Sequence, residues 1–223
     1  MSLLSVHHLS HRIQDRPLLE NISLKLYAGQ KVVLVGRSGS GKSVLLQALA
    51  DLLPLEKPML NRIMLNNIPI SQIPPPIYRT QVALFHQIAN LTSGTVLDNL
   101  KAPFAFKYHQ DKMFNPKWHL EKLNKLGKTE QFLNQSIENL SGGERQLVNF
   151  LRTLQFNPVI ALFDEITSAL DDETAHRLIQ LVLDWHDDKK ALVWVTHTPT
   201  EQHTLGAELW RMDDGVLDMV CMT

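Results

Sequence analysis

The sequence predicts an α/β protein built around a mostly parallel β-sheet. Three short runs, at 32–35, 159–163 and 191–195, are apolar at every position, so the residues that would face either side of a sheet are apolar. Strands show this pattern when both faces of their sheet are covered. Helical periodicity lies between and after these runs. Strands that alternate with helices along a chain indicate a parallel sheet packed against helices.

Two amphipathic helices are predicted from the spacing of apolar residues. The helix after Asp172 repeats them at i, i+3, i+4, i+7 and i+8, and its acidic first turn suits the positive end of the helix dipole. The helix after Ser141 carries a similar stripe. The apolar positions are Ala175, Leu178, Ile179, Val182 and Leu183 in the first helix and Leu147, Phe150, Leu151 and Leu154 in the second.

A fourth strand and a helical region complete the predicted organisation. The strand covers 82–85 and follows a loop marked by consecutive prolines at 74–76. The stretch 88–138 has no clear buried strand and contains helix-like leucines, so we predict a mostly helical insertion. The chain would then be one domain over 1–223, with its α/β core at about 1–87 and 139–223.

Composition and charge exclude several classes of protein. With 22 Lys and Arg against 23 Asp and Glu, the net charge is −1, which excludes binding by bulk positive charge as in histone-like proteins. A lone cysteine, Cys221, excludes a disulfide scaffold and argues against a cysteine-based zinc site. The sequence has neither a signal-peptide pattern nor an apolar run near the roughly 20 residues of a membrane-spanning helix. We therefore expect a soluble, cytosolic chain whose membrane part, if it serves one, is another polypeptide.

The first candidate site is a phosphate-binding loop. Residues 36–43, GRSGSGKS, fit the pattern G-x-x-x-x-G-K-[ST] between an apolar strand and a helix, which argues against a glycine-rich turn without a ligand. Backbone N–H groups and the helix dipole grip phosphates in such a loop, the lysine reaches the β- and γ-phosphates, and the final hydroxyl coordinates Mg²⁺. The predicted nucleotide-binding residues are Gly36, Arg37, Ser38, Gly39, Ser40, Gly41, Lys42, Ser43 and Val44.

Two carboxylates follow the second apolar run. Asp164 comes directly after 159–163, and Glu165 is the next residue. Ligands of open α/β sheets sit at the carboxyl ends of the strands. We therefore predict that Asp164 lies beside Mg²⁺ and that Glu165 polarises a water aimed at the γ-phosphate. Beside a phosphate loop, this interpretation is favoured over a pair of solvated loop acids.

A second anion site is indicated at 140–146, LSGGERQ, where the helix after Ser141 opens. Ser141 and Glu144 have the spacing of a capping box, which leaves Gly142 and Gly143 unexplained. A hydroxyl and bare backbone N–H groups at a helix start bind anions. One chain thus has two helix N-termini that can bind phosphate. This suggests that, in a dimer, the second site of one chain completes the first site of the other.

These motifs occur in the order found in the ATP-binding subunits of ABC transporters, which the chain resembles from end to end. Each short match alone is weak, whereas the ordered set is specific. The matching features are the phosphate loop at 36–43, Gln87 at the Q-loop position, the signature-like 140–146, Asp164 and Glu165 as the Walker B aspartate and catalytic glutamate, 168–171 as the D-loop, and His197 as the switch histidine.

The resemblance implies a P-loop NTPase (RecA-like) core with an antiparallel β subdomain and an inserted α-helical subdomain. It implies ATP and Mg²⁺ as ligands and a homodimer in which two chains sandwich two ATP molecules head to tail. The chain would be an ATPase that powers a separate membrane-spanning permease from the cytoplasmic face of the inner membrane. No nucleic acid is expected as a partner.

The resemblance also implies a role for individual residues. Each ATP would lie between the phosphate loop of one chain and the signature of the other, and Gln87 would link the site to the helical insertion. The implied residues are Lys42, Glu165 and His197 for catalysis, Ser43, Gln87 and Asp164 around Mg²⁺, and Ser141 and Gly143 for the partner's nucleotide.

Two positions depart from the family pattern. The family stacks adenine on an aromatic residue ahead of the phosphate loop, and that position here is Ile13, beside Arg12. Aromatic stacking is worth about 0.5–1.5 kcal/mol beyond area burial. We therefore expect adenine to be held more loosely, or packed on Ile13 and the stem of Arg12. In the signature, Glu144 stands where glutamine is common.

Within the family, several segments resemble the Fet-type (YbbL-like) group, which is described as iron exporters. The analogy predicts export of iron or another metal. The alternatives are an exporter subunit for a non-metal substrate, and an ABC-type ATPase that acts outside transport, in DNA repair or translation. A P-loop kinase of small molecules would explain neither 141–143 nor His197. The segments are 77–82, 94–100, 154–156, 164–171 and 192–197.

Overall fold

The computed structural model describes residues 2–14, 16–86, 88–109 and 111–220, and these form two compact units. Unit 1 takes its residues from Met1–Leu84, Pro158–Asp164 and His186–Thr223, and unit 2 from Phe85–Asn157 and Glu165–Trp185. Unit 2 therefore holds the stretch 88–138 together with the helices predicted after Ser141 and Asp172.

Among its described residues, unit 1 contains two β-sheets and four short helices. Its strands are β1 (Ser2–Ile13), β2 (Arg16–Tyr27), β3 (Lys31–Val35), β4 (Ile63–Leu65), β5 (Ile68–Pro69), β6 (Val82–Phe85, whose last residue belongs to unit 2), β7 (Ile160–Asp164), β8 (Ala191–Val195), β9 (Glu208–Asp213) and β10 (Val216–Val220). Its helices are α1 (Lys42–Leu49), α2 (Lys57–Leu60), α3 (Pro75–Gln81) and α8 (Pro199–Leu205), and a 3-10 turn covers Ile70–Gln72.

The two sheets differ in strand direction. The smaller sheet has the order β2-β1-β4-β5 and is antiparallel. The larger has the order β10-β9-β3-β8-β7-β6; its strands β9, β3, β8 and β7 run parallel, and β10 returns antiparallel to β9. The predicted α/β fold, a parallel sheet with an antiparallel β subdomain, is confirmed.

The central strands β3, β8, β7 and β6 of the larger sheet are buried on both faces, which explains their apolar sequences, whereas β9 and β10 keep exposed residues. Alternate residues, including Val32 and Val193, join one core cluster with leucines of β1, β2 and α1. Residues of the other parity include Phe163 and Trp194, whose ring centroids lie 4.8 Å apart. The Trp194 indole N–H also donates to Glu201 of α8 at 3.0 Å. In a strand covered on both sides, neither set of alternating residues faces solvent, so both sets can be apolar. The three apolar runs were therefore correctly predicted as strands.

The prolines at 74–76 begin a helix, and the predicted loop is wrong at this point. Pro74 is the N-cap of α3, and the next two prolines occupy its first turn. The N–H groups of a first turn have no partner within the helix, so proline loses no hydrogen bond there and its fixed φ suits the helix. Tyr78 then anchors α3, because its buried hydroxyl donates to the carbonyl oxygen of Leu49.

Unit 2 is helical in its regular described elements. In the part of the chain that the structure describes, no helix is both long enough and apolar enough to cross a membrane. Helices α6 and α7 confirm the two amphipathic helices predicted from apolar spacing. The elements are α4 (Val96–Lys101), α5 (Pro116–Lys125), α6 (Gly142–Leu154) and α7 (Asp172–Trp185), with 3-10 helices at Ala102–Ala105, Lys107–His109, Glu130–Asn134 and Ile137–Asn139.

Candidate functional site

The loop 36–41 connects β3 to α1 at the carboxyl end of the parallel strands. Lys42 begins α1 and is only 6% exposed. Its Nζ donates to the carbonyl oxygens of Gly36 at 2.8 Å and Arg37 at 3.0 Å. Gly41, the N-cap, has φ +103 and no side chain to cap the first turn of the helix. The loop therefore offers a cation and a helix N-terminus to the same anion.

Tertiary neighbours explain why the loop needs glycine at two positions. A Cβ atom at Gly41 would lie 2.6 Å from the carbonyl oxygen of Leu18 in β2. A Cβ atom at Gly36 would collide with the carbonyl oxygen of Met212 in β9 and lie 2.8 Å from Ser40 Oγ. The backbone of the loop thus packs directly against the backbone of two strands, which leaves no room for a side chain.

Ser43 and Asp164 meet beside Lys42. The Ser43 hydroxyl donates to Oδ1 of Asp164 at 3.1 Å, and Asp164, the last residue of β7, is 8% exposed. A hydroxyl and a carboxylate side by side are hard oxygen ligands of the kind that Mg²⁺ prefers. The structure thus brings together two of the residues that the sequence places at the metal, Asp164 and Ser43, the latter next to Lys42 in the chain.

The other predicted catalytic residues lie at or beyond strand ends. Glu165 follows Asp164 directly, is half-buried and has φ +49, a left-handed conformation that is unusual for a residue with a side chain and occurs often at functional sites. His197 is exposed two residues beyond β8, in a turn where Thr196 Oγ1 accepts the N–H of Thr198 at 3.0 Å. Gln87 lies outside the described residues. The roles of these three residues stay predictions.

The capping box at the start of α6 is present and has an additional partner. Ser141 Oγ accepts the N–H of Glu144 at 3.2 Å, and Glu144 Oε2 accepts the N–H of Ser141 at 3.0 Å. Lys128 Nζ also donates to Glu144 Oε1 at 2.8 Å. The hydrogen bond from Lys128, followed by that from the Ser141 backbone, lowers the pKa of the Glu144 carboxyl below its ordinary value. The glutamate in the signature therefore forms an ion pair that a glutamine would lack.

The two glycines that follow Ser141 have different surroundings. A Cβ atom at Gly142 would meet nothing within 4 Å, whereas one at Gly143 would lie 2.8 Å from the carbonyl oxygen of Ala169 and 3.1 Å from Leu170 Cδ2. The start of α6 thus packs on the segment 168–171, whose Asp171 caps α7 by accepting the N–H of Thr174 at 2.9 Å. Within unit 2, the signature and the D-loop form one packed surface.

We expect Gly143→Ala to lower the free energy of unfolding by about 1–3 kcal/mol, because the added methyl must displace the backbone at Ala169 or the side chain of Leu170. Gly142→Ala is the matched control, since it adds the same methyl to the preceding residue of the same helix in open space. Denaturant unfolding of both variants checks the prediction. Equal losses would contradict the close packing at Gly143.

The turn between β9 and β10 is part of the site, and our sequence analysis missed it. The N–H of Gly215 donates to the carbonyl oxygen of Ser40 at 3.0 Å, and the Gly215 carbonyl accepts the N–H of Glu20 at 2.8 Å. An Asp-Gly pair between apolar runs is a hairpin signal that would have found the turn, although not its contact with the phosphate loop. A wedge of 250 Å³ beside the loop is lined by Arg16, Pro17, Leu18, Gly39, Ser40, Asp214 and Gly215.

Ile13 lies outside this wedge. It is 53% exposed at the end of β1, where it pairs with Arg16 across the hairpin. Arg16, Pro17 and Leu18 of β2 contribute to the wedge instead. The space beside the phosphate loop is therefore bounded by Arg16, Asp214 and Ser40 together with apolar residues, and no aromatic side chain is among the described residues that line it.

A parallel sheet whose strands end in a G-x-x-x-x-G-K-S loop and a Ser–Asp pair defines a P-loop nucleotide-binding protein. The sequence profile of the family described as ABC transporter matches residues 19–168, more than half of the chain. The chain belongs to the ABC transporter family, as an ATP-binding subunit with ATPase activity coupled to transport.

Similar proteins of this family serve different cargoes. The probable iron export ATP-binding protein FetA of Escherichia coli K12 is 34% identical over 200 residues, covering 89% of this chain and 86% of its own. The lipoprotein-releasing system ATP-binding protein LolD of Protochlamydia amoebophila is 32% identical, covering 85% and 83%. The solved dimeric post-hydrolysis structure of the ATP-binding cassette MJ0796 bound to ADP and Pi matches with a TM-score of 0.80 and 25% identity, covering 99% and 100%.

Proposed function

We propose that this chain drives a separate membrane-spanning permease from the cytoplasmic face of the inner membrane, and that the cargo is iron or another metal moving outward. The observation that carries the ATPase assignment is the contact between Ser43 and Asp164 beside Lys42. The similarity to FetA supports a metal cargo. The similarity to LolD means that a related ATP-binding protein belongs to a lipoprotein-releasing system. A non-metal exporter and an ATPase outside transport are the competing functions.

The phosphate loop binds the triphosphate of ATP before any chemistry occurs. Lys42, now bonded to two loop carbonyls, turns its ammonium group toward the β- and γ-phosphates. Ser43, Asp164 and Gln87 would hold Mg²⁺, which would neutralise charge on the phosphate oxygens. The backbone N–H groups at the start of α1 add a positive dipole at the same point.

Glu165 acts on the attacking water. Its carboxylate accepts a proton from the water as the oxygen forms a bond to the γ-phosphorus, while the bond from that phosphorus to the β–γ bridging oxygen breaks. ADP carries away the bridging oxygen, and the water oxygen stays in the released phosphate. His197 contacts the γ-phosphate, Gln87 links the site to the helical insertion, and Lys42 stabilises the charge that moves onto the leaving oxygen.

A second chain completes each site. Ser141 and Gly142 are exposed at the start of α6, so the hydroxyl and the helix N-terminus are accessible to a partner's nucleotide together with Gly143. The similar cassette MJ0796 was solved as a dimer bound to ADP and Pi. We propose that two chains close around two ATP molecules and separate after hydrolysis.

The adenine enters the wedge beside the phosphate loop. Arg16 offers a guanidinium plane on which a purine can stack, and Leu18 offers apolar contact. This arrangement replaces the aromatic stack that the family places at the position of Ile13. In this arrangement Ile13 and Arg12 contribute to adenine binding only from the outer edge of the β1–β2 hairpin.

Exposed apolar side chains between positions 106 and 113 of unit 2 are the proposed contact with the permease. Met113 is 90% exposed, Phe106 65% and Tyr108 51%, and exposed apolar clusters often mark interfaces. We expect Phe106→Glu combined with Met113→Glu to lower recovery of the membrane partner by about tenfold, since a charge in an apolar interface is costly. Ile68→Glu in unit 1, at a site 48% exposed, is the matched control. Equal recovery with both variants would remove this surface from the interface.

Co-purification tests the partner, and transport tests the cargo. A tagged Glu165→Gln chain, extracted from membranes in mild detergent with ATP and Mg²⁺, is expected to bring with it a polytopic protein that lacks its own cassette. The reconstituted pair is then assayed for ATP-dependent movement of Fe²⁺, Mn²⁺ or Zn²⁺ in vesicles. A soluble or nucleic-acid partner would favour the function outside transport, and an active pair that moves none of these metals would overturn the metal cargo alone.

A further inference from the structure

A cavity of about 1120 Å³ lies in unit 1, away from the phosphate loop. Its walls come from β2, from Gln30 just before β3, from the end of α8 and from the start of β9. Because β3 and β9 run parallel, these walls mark the amino ends of the strands, whereas the phosphate loop follows the carboxyl end of β3. The cavity is therefore separate from the nucleotide site.

The floor of the cavity is apolar. Val6, Leu24, Val33 and Trp210 lie behind its surface, each at most 3% exposed, and the accessible apolar lining includes Leu209, Tyr27 and Met219. Small-molecule pockets enclose about 300–1,000 Å³ and are lined mainly by such side chains, with a few polar groups that orient the ligand. The lining thus suits an apolar molecule.

The polar groups around this floor favour an anion. Lys25, His7 and His203 line the cavity. Glu208 is the acidic residue among the described lining residues, and its Oε2 already accepts a hydrogen bond from Gln30 Nε2 at 2.8 Å. Among the described residues Lys25 has no ion-pair partner, so its ammonium can pair with a negative group on a ligand.

We propose that this cavity binds an amphipathic molecule that carries one carboxylate on a long hydrocarbon chain, the chemical class of the fatty acids. The chain lies along the apolar floor between β2 and β9, and the carboxylate pairs with the ammonium of Lys25. The inference does not rest on the proposed transport function, since no residue of the phosphate loop or of the signature lines the cavity.

Three probes with the same hydrocarbon chain separate the charge requirement from simple partition. Dodecanoate, dodecanol and dodecyltrimethylammonium are titrated into the full chain by calorimetry, each below its critical micelle concentration. We expect dodecanoate to bind with a stoichiometry of about one per chain and roughly two- to fivefold more tightly than dodecanol, because its carboxylate pairs with the ammonium of Lys25. Dodecyltrimethylammonium is expected to bind most weakly. Equal affinity for all three probes would overturn the proposal.

Two variants locate the binding. Lys25→Gln is expected to weaken dodecanoate binding by about two- to fivefold, the usual worth of an exposed ion pair, and to leave dodecanol unchanged. Lys117→Gln, which removes an exposed lysine from α5 in unit 2, is the matched control. Ala207→Trp is expected to fill the cavity and abolish binding of both probes, while ATPase activity stays unchanged.

Each variant has an outcome that overturns the proposal. Unchanged dodecanoate binding in Lys25→Gln removes the carboxylate from this site, and unchanged binding in a folded Ala207→Trp protein places the ligand elsewhere. If Ala207→Trp does not fold, His203→Gln takes its place, because the side chain lies on the surface of α8. Its dodecanoate affinity must then fall relative to that of Lys117→Gln.

Discussion

Glu165→Gln is expected to slow ATP hydrolysis by about 10²–10⁴-fold, because a general base usually accelerates a reaction by that factor. ATP binding is expected to stay intact. Glutamine has the same shape as glutamate and the same cost at the φ of +49 that this position requires, so the backbone should not change. The groups that bind the triphosphate, Lys42 and Ser43, are untouched. Steady-state phosphate release and nucleotide binding at equilibrium measure the two effects separately.

A carboxylate elsewhere in unit 2 supplies the control for this variant. Glu173 lies in the first turn of α7, and its side chain is 76% exposed. Glu173→Gln removes one negative charge without touching the proposed water, and we expect turnover within about twofold of the original chain. If Glu165→Gln and Glu173→Gln turn over ATP equally fast, Glu165 is not the base. Loss of ATP binding in Glu165→Gln would instead indicate a role in holding the nucleotide.

A mixture of two inactive variants is expected to recover about a quarter of the original ATPase activity if the sites are composite. Lys42→Ala removes the phosphate-loop cation, and Ser141→Arg blocks the exposed helix start that faces the partner's nucleotide. At equal amounts, random pairing makes about half of the dimers heterodimers, and each of these keeps one intact site of two. Each variant alone is expected to be nearly inactive.

The control is a mixture whose defects fall in the same half of the site. Lys42→Ala and Glu165→Gln both act on the nucleotide held by their own chain, so their heterodimer has two defective sites and no recovery is expected. Activity of the two mixtures is followed by phosphate release after the chains exchange in the absence of ATP. Equal behaviour of the two mixtures, whether both recover or neither does, would contradict sites shared between chains.

Local sequence determined much of the framework and of the phosphate site. The strands at 31–35, 160–164 and 191–195 could be predicted because they contain runs of residues that are apolar on both faces. This pattern is typical of a strand whose sheet is covered on both sides. The capping box at Ser141 and Glu144 and the loop at 36–41 follow from short spacings, because their hydrogen bonds and turns form between residues close in the chain. The prolines at 74–76 were misjudged, because the same residues suit both a loop and the first turn of a helix.

Only the tertiary structure decided which distant backbones meet at the site. The approach of Leu18 and Met212 to the phosphate loop, the bond from Gly215 to Ser40, and the packing of Gly143 on Ala169 join segments far apart in the chain. A sequence pattern records that a glycine or a turn is present, whereas the contact that requires it depends on how sheets and helices pack. Spacing alone therefore located the phosphate loop, and packing revealed the wedge beside it, built from Arg16 and the Asp214 turn, and the cavity between β2 and β9.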